Sequence, residues 1–198
     1  MMRDIDRNPV GSILIDGINR SSRTVRIIPL TWKEQTVLKR YLCARVVGTL
    51  SFRGNDSVIW FDPWTFMPNL VTGGTSPYQI LVHELQHSYR DAVGKALPVG
   101  PMPRVLTSAF PNIEEFFSVM IENMYVSADG KPHLMRSNYL GGNPTGAPAD
   151  TIWYKQYINE IDLWCGDHPD LTVQLQRLPG WWNPIRVRWA ILNGLVTP

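Results

Sequence analysis

Apolar residues recur at helical spacing along most of the chain and at strand spacing mainly near its start. Residues 12–16 and 24–28 read as two short β-type runs separated by Gly17, Ile18, Asn19, Arg20, Ser21 and Ser22, which predicts a β-hairpin. A helix is expected over 31–44. Val58, Ile59, Trp60 and Phe61 form a further strand, closed by Asp62 and Pro63. The next segment, rich in Pro, Gly, Thr and Asn, is a loop leading into a helix over 78–93. In that helix Ile80, Leu81, Leu85, Tyr89, Ala92 and Val93 make an apolar stripe. Thr75, Ser76 and Pro77 supply its cap and first turn, and Gly94 its stop. A proline-rich connection over 96–111 precedes a helix that Asn112 caps and that runs to about residue 127. An exposed loop follows around 138–144, then helices over 150–164, 169–177 and 184–192. Helix outweighs strand, so the expected class is α+β, mainly helical, with a small N-terminal sheet or hairpin packed on the 78–93 helix.

A chain of 198 residues suits one domain spanning 1–198, either whole or cut from a larger protein. The formal charge is only +2 and no Lys/Arg track forms, so nucleic acid is not the expected partner. No run approaches the ~18 apolar residues of a membrane span. The start, Met1-Met2-Arg3-Asp4-Ile5-Asp6, lacks the apolar core of a signal peptide. Cytoplasmic residence, or export by a route that needs no signal peptide, is the expectation. Cys43 and Cys165 sit in apolar segments without a Cys-x-x-Cys partner and read as small buried side chains. Of eight tryptophans, Trp153, Trp164, Trp181, Trp182 and Trp189 crowd the last quarter, where core packing is the default role.

The chemistry concentrates in His83-Glu84-Leu85-Gln86-His87. Histidines four apart project from one side of a helix, one turn apart, so both imidazoles can reach one metal ion. The intervening glutamate, Glu84, is then placed to take a proton from water at that metal. The bland alternative is a helix carrying two unrelated histidines.

A catalytic zinc takes three protein ligands. The extended pattern with a glycine and a third histidine would need them where Arg90 and Val93 stand, so it is excluded. Asp91, one turn beyond His87, points too far along the helix. The helix beginning at Asn112 offers Glu114 and Glu115. Helical spacing puts Glu115, Val119 and Glu122 towards the core and leaves Glu114 leaning outward. Glu115 is therefore favoured as third ligand over Glu114, with Glu122 able to orient a histidine from behind. Both acids would also suit a helix N-terminus electrostatically.

This combination, His83-Glu84-x-x-His87 followed by Glu115-Phe116-Phe117, is similar to the ligand pattern of the anthrax lethal factor metalloprotease family, in which a glutamate before paired phenylalanines binds zinc. More broadly the chain resembles bacterial effector zinc metallopeptidases over roughly residues 57 to 140, with supporting stretches at Ile59-Trp60-Phe61-Asp62-Pro63 and 87–94 and, near the end of the chain, at Asn183-Pro184-Ile185-Arg186. The resemblance implies a zincin-like domain, a Zn2+ cofactor held by His83, His87 and Glu115, and a secreted endopeptidase acting on a protein or peptide substrate. An immunity protein or a delivery protein would be its partner.

The remaining role is an oxyanion donor. Tyr139, in the loop after the third-ligand helix, is the candidate and His133 the alternative. His168, within Asp167-His168-Pro169-Asp170, reads as part of a cap and turn. Two other functions use the same residues: a zinc hydrolase acting on a non-peptide or cell-wall amide bond, and a zinc-binding interaction module without catalysis. Glu84 argues against the last, since a structural site needs no general base.

Overall fold

The chain begins with two helices, α1 (Met2–Arg7) and α2 (Pro9–Arg20), that meet at a single extended residue, Asn8. The Asn8 side-chain oxygen accepts from the backbone N–H of Val10 at 2.9 Å and of Gly11 at 3.4 Å, capping α2. Its amide donates to the Tyr125 carbonyl at 3.0 Å, which ties this corner to a distant helix. Gly11 permits the corner, because a Cβ there would stand 2.1 Å from the Ile5 carbonyl oxygen. This computed structural model describes residues 1–29, 44–48, 54–62, 76–97, 109–131, 134–138 and 149–196.

The expected hairpin does not form. Residues 12–16 belong to α2, where Val10, Ile13, Leu14, Gly17 and Ile18 are buried at three- and four-residue spacing. The alternation of Ile13 and Ile15 covered too few positions to outweigh that longer period. The second run does become a strand, β1 (Val25–Pro29), but it pairs with a strand later in the chain. Together with β2 (Ala44–Gly48) and β3 (Ser57–Phe61) it makes a three-stranded sheet in the order β1-β3-β2. β1 runs parallel to β3, from Val25 opposite Ser57 to Pro29 opposite Phe61, and β2 runs antiparallel to it. The helix expected over 31–44 lies outside the described residues except at Ala44, which opens β2. In β3 the residues Ser57, Ile59 and Phe61 are buried, the period-2 pattern of a strand covered on one face.

That sheet and α2 both pack on α3 (Pro77–Ala92), which is buried around most of its circumference. Ser76 caps α3 by accepting from Gln79 N–H at 3.3 Å, with Pro77 in the first turn. Its C-terminal end is held at Gly54, where φ is +78° and a Cβ would stand 2.0 Å from the Ala92 carbonyl oxygen. α4 (Ile113–Ala128) lies along α3 and is capped by Asn112, which accepts from Glu115 N–H at 3.0 Å. Contacts pair residue 79 with 122 and residue 90 with 114, so the two helices run antiparallel.

A third layer comprises α5 (Asp150–Gln156), α6 (Ile158–Asp167), α7 (Pro169–Leu175) and α8 (Pro184–Leu192). The single helix expected over 150–164 is broken at Tyr157, whose backbone leaves the helical region at φ −125° and ψ 34°. The break lets the Tyr157 ring pack against Phe116 at 4.8 Å and Trp153 at 5.2 Å between ring centres. Trp153, Trp164 and Trp182 are fully buried, as core packing requires, while Trp181 and Trp189 are exposed. Cys165 carries a buried free thiol, and Cys43 lies outside the described residues. Among the described residues no helix is long and apolar enough to cross a membrane.

Arg90 joins α3 to α4 and to the junction of α6 with α7. It is fully buried, and its guanidinium donates to Glu114 at 2.8 Å, Asp167 at 3.3 Å, His168 Nε2 at 2.7 Å and the Lys95 carbonyl at 2.5 Å. It also lies 4.6 Å from the centre of the Phe117 ring. His168 occupies the cap between α6 and α7, as expected, but its ring turns inward to accept from Arg90 and makes no side-chain cap bond.

Two outcomes follow from these contacts. Gly11→Ala should lower stability by about 1–3 kcal/mol in urea unfolding, because the clash with Ile5 outweighs the helix propensity that alanine adds. Stability at or above that of the unaltered protein would show that the α1–α2 corner can open. Burial, with the charges of Arg90 and Lys95, pushes the His168 pKa from 6.5 down to about 3. The unfolded chain then binds a proton that the folded chain refuses, so stability should fall as pH drops below about 6.5 towards 3. In His168→Gln, which still offers Arg90 an acceptor, unfolding midpoints compared at acid and neutral pH should show a shallower decline. An unchanged slope would refute the assignment.

Candidate metal centre

α3 presents His83 and His87 one turn apart, with ring centres 5.0 Å apart. α4 brings Glu115 against them from its first turn, where the Asn112 cap fixes the Glu115 backbone. Three ligand-type atoms converge: His83 Nε2 lies 2.9 Å from Glu115 Oε2, His87 Nε2 lies 3.5 Å from the same oxygen, and the two Nε2 atoms are 3.3 Å apart. Tetrahedral zinc, with ligand bonds of about 2.0–2.2 Å, would space its donor atoms about 3.3–3.5 Å apart. Two of the three edges have that length, and the His83–Glu115 edge, at 2.9 Å, is shortened to a direct hydrogen bond. Among the described residues these three form a group that could hold a metal ion.

The electrostatics favour positive charge at this point. Burial pushes the His83 imidazole down, but hydrogen bonds to Glu115 and Glu122, with the charges of Glu115 and Glu84, outweigh it and raise its pKa to about 9. His87 is raised in the same way, against burial, chiefly by Glu115. Burial alone would raise the Glu115 carboxyl; the charge of His87 and hydrogen bonds from both rings instead hold it far below the usual carboxylate range. A proton and a metal cation compete here for the same lone pairs.

Glu114 does not lean outward as expected. It is buried, accepts from Arg90 Nε at 2.8 Å and from Leu97 N–H at 2.9 Å, and so belongs to the packing of α3 on α4. Helical spacing placed it on the less apolar side of α4, but Arg90 and the chain leaving α3 cover that side. Asp91 stays apart from the metal-type group. Glu122 stands behind His83, with Oε2 3.3 Å from Nδ1. Glu84 is half-buried on α3, and its charge acts on both histidines. Tyr139 and His133 lie outside the described residues.

Three neighbours escaped the sequence reading. Gln79, one turn before His83 on the same face, donates to Glu122 at 3.2 Å and to the Leu134 carbonyl at 3.0 Å. Its i−4 spacing from His83 was a usable signal. Ser118, one turn after Glu115, lies with Oγ 3.2 Å from His87 Nε2, and the same helical spacing could have found it. Arg136 pairs with Glu122 from a segment beyond α4, and no local pattern announces it. Compared with family models, with curated proteins and with solved structures, the chain matches none.

The two adjacent glutamates should separate experimentally. Glu114→Ala leaves Arg90 buried without its main counter-charge and should cost about 3–5 kcal/mol of stability. Glu115→Ala should instead lower metal retention after dialysis, with a much smaller effect on the unfolding of the metal-free protein. Equal metal content in the two variants would overturn the choice of Glu115.

Proposed function

We propose that this protein is a zinc-dependent endopeptidase. The observation that carries the reading is the convergence of His83 Nε2, His87 Nε2 and Glu115 Oε2 within 2.9–3.5 Å of one another, with Glu84 next in sequence to the first of them. In this reading His83, His87 and Glu115 hold the cation, which supplies Lewis acidity and lowers the pKa of water towards ~7. Glu84 accepts the proton of the attacking water and returns it to the leaving amine as the peptide bond breaks. Glu115 contributes one negative charge to the ligand set, leaving the centre net positive and suited to a developing oxyanion. Imidazole and carboxylate ligands suit zinc, and a two-histidine, one-glutamate set is a known catalytic arrangement. The similarity of the His83-to-His87 and Glu115-Phe116-Phe117 segments to the anthrax lethal factor metalloprotease family supports a protein substrate, while the same water-activating residues would equally serve a cell-wall amide.

Zinc-loaded protein should cleave casein, and a chelator should stop it. Glu84→Gln should retain zinc and the folded circular dichroism spectrum while losing at least about 100-fold in rate, the scale of a positioned general base. Amide release from purified cell wall without casein cleavage would redirect the activity to that bond. Zinc binding with neither activity would make the protein a binding module.

A further inference from the structure

We propose that Arg136 is a positioning residue for this centre: it anchors the Glu122 carboxylate so that His83 turns Nε2, and not Nδ1, towards the cation. The inference rests on the metal reading above and assigns a role to a residue outside the two site helices.

Both oxygens of Glu122 are held by donors from different parts of the fold. Oε1 accepts from Gln79 Nε2 at 3.2 Å, and Oε2 accepts from Arg136 Nη2. Arg136 is itself held firmly at its backbone: its N–H donates to Asn123 Oδ1 at 2.9 Å, and Asn123 Nδ2 donates to its carbonyl at 2.7 Å. Glu122, Asn123 and Gln79 are fully buried and Arg136 nearly so, so water cannot substitute for a lost partner. Backbone, carboxylate and guanidinium therefore form one rigid support.

His83 Nδ1 faces this support, 3.3 Å from Glu122 Oε2 and 3.4 Å from Arg136 Nη2. A guanidinium nitrogen can only donate, and a carboxylate paired with it accepts. Arg136 Nη2 is drawn to Glu122 Oε2 far more closely than to Nδ1, so Nδ1 is satisfied by donating its N–H to the carboxylate; a lone pair there would face the carboxylate oxygen and compete with it for Arg136. The free lone pair of the ring is then on Nε2, the atom directed at Glu115 and His87. A partner on the far nitrogen of a ligating histidine is what fixes its tautomer and ring angle. Here that partner is set by Arg136 and Gln79 together.

The test compares zinc affinity, by competition with a chromophoric chelator, in wild type, Arg136→Gln, Arg136→Lys and Gln79→Met, each checked for folding by circular dichroism. Arg136→Gln should weaken binding about 10–100-fold, and Arg136→Lys, which keeps the cation, should recover most of that loss. In the zinc-loaded wild type the His83 Nδ1 proton should appear in NMR spectra as a low-field, slowly exchanging signal, and it should exchange faster in Arg136→Gln. Folded Arg136→Gln with affinity within about twofold of wild type would overturn the proposal, as would Arg136→Lys no better than Arg136→Gln. If Arg136→Gln does not fold, Gln79→Met decides: weakened binding supports the proposal and unchanged binding overturns it. Wild type that takes up no zinc would overturn the metal reading and this inference with it, whereas zinc binding indifferent to all three substitutions overturns this inference alone.

Discussion

Burying the Arg90 guanidinium is favourable only if its donors keep partners, and that requirement sets how α3 lies against α4. Taking such a cation out of water costs several kcal/mol before any contact is made. Glu114, Asp167, His168 and the Lys95 carbonyl together meet that cost. Because the helices are antiparallel, the Arg90–Glu114 contact fixes both their relative rotation and their offset. A shift of one residue along α4 would turn Glu115 by about 100° and carry it away from the histidines.

A second buried network holds the other side of the same helix pair. Gln79 and His83 on α3 meet Glu122 on α4, while Asn123 and Arg136 bind the following segment to that point. Between the two networks stand His83, His87 and Glu115. In the end networks the Arg90 guanidinium and both Glu122 oxygens find polar partners, in the manner of structural polar groups. The middle group instead brings two imidazole nitrogens to 3.3 Å of each other beside one carboxylate oxygen. Nearby negative charge makes that arrangement attractive to a cation and unattractive to another anion. Rigid packing on both sides supplies the preorganisation that a metal centre needs.

Two helix caps were legible in the chain. Ser76 and Asn112 each accept a backbone N–H three residues on, as expected of a short polar side chain before a regular run, whereas Asn8 and Asn183 cap α2 and α8 without having been read as caps. The pairing of His83 with His87 was equally legible, because a helix guarantees their common face. Glu115 could be favoured over Glu114 by spacing, yet the reason Glu114 is unavailable could not be read, since Arg90 lies 24 positions earlier in the chain. Two short-range patterns misled. Ile13 and Ile15 imitated a strand inside α2, and the apolar period through 150–164 concealed the break at Tyr157, where burying an aromatic ring overrode helical continuity.

By itself the sequence determined what local backbone geometry dictates: the caps at Ser76 and Asn112, the strand at β3, and the placing of two imidazoles with a glutamate between them on one helix. These follow from residues within a turn or two of one another, where 3.6-residue and 2-residue periods leave little freedom. Only the tertiary structure decided the order β1-β3-β2, the division of labour between Glu114 and Glu115, and the arrival of Arg136 behind His83. Those depend on which buried charges find partners across the core, a condition set by contacts between distant segments and absent from any local pattern.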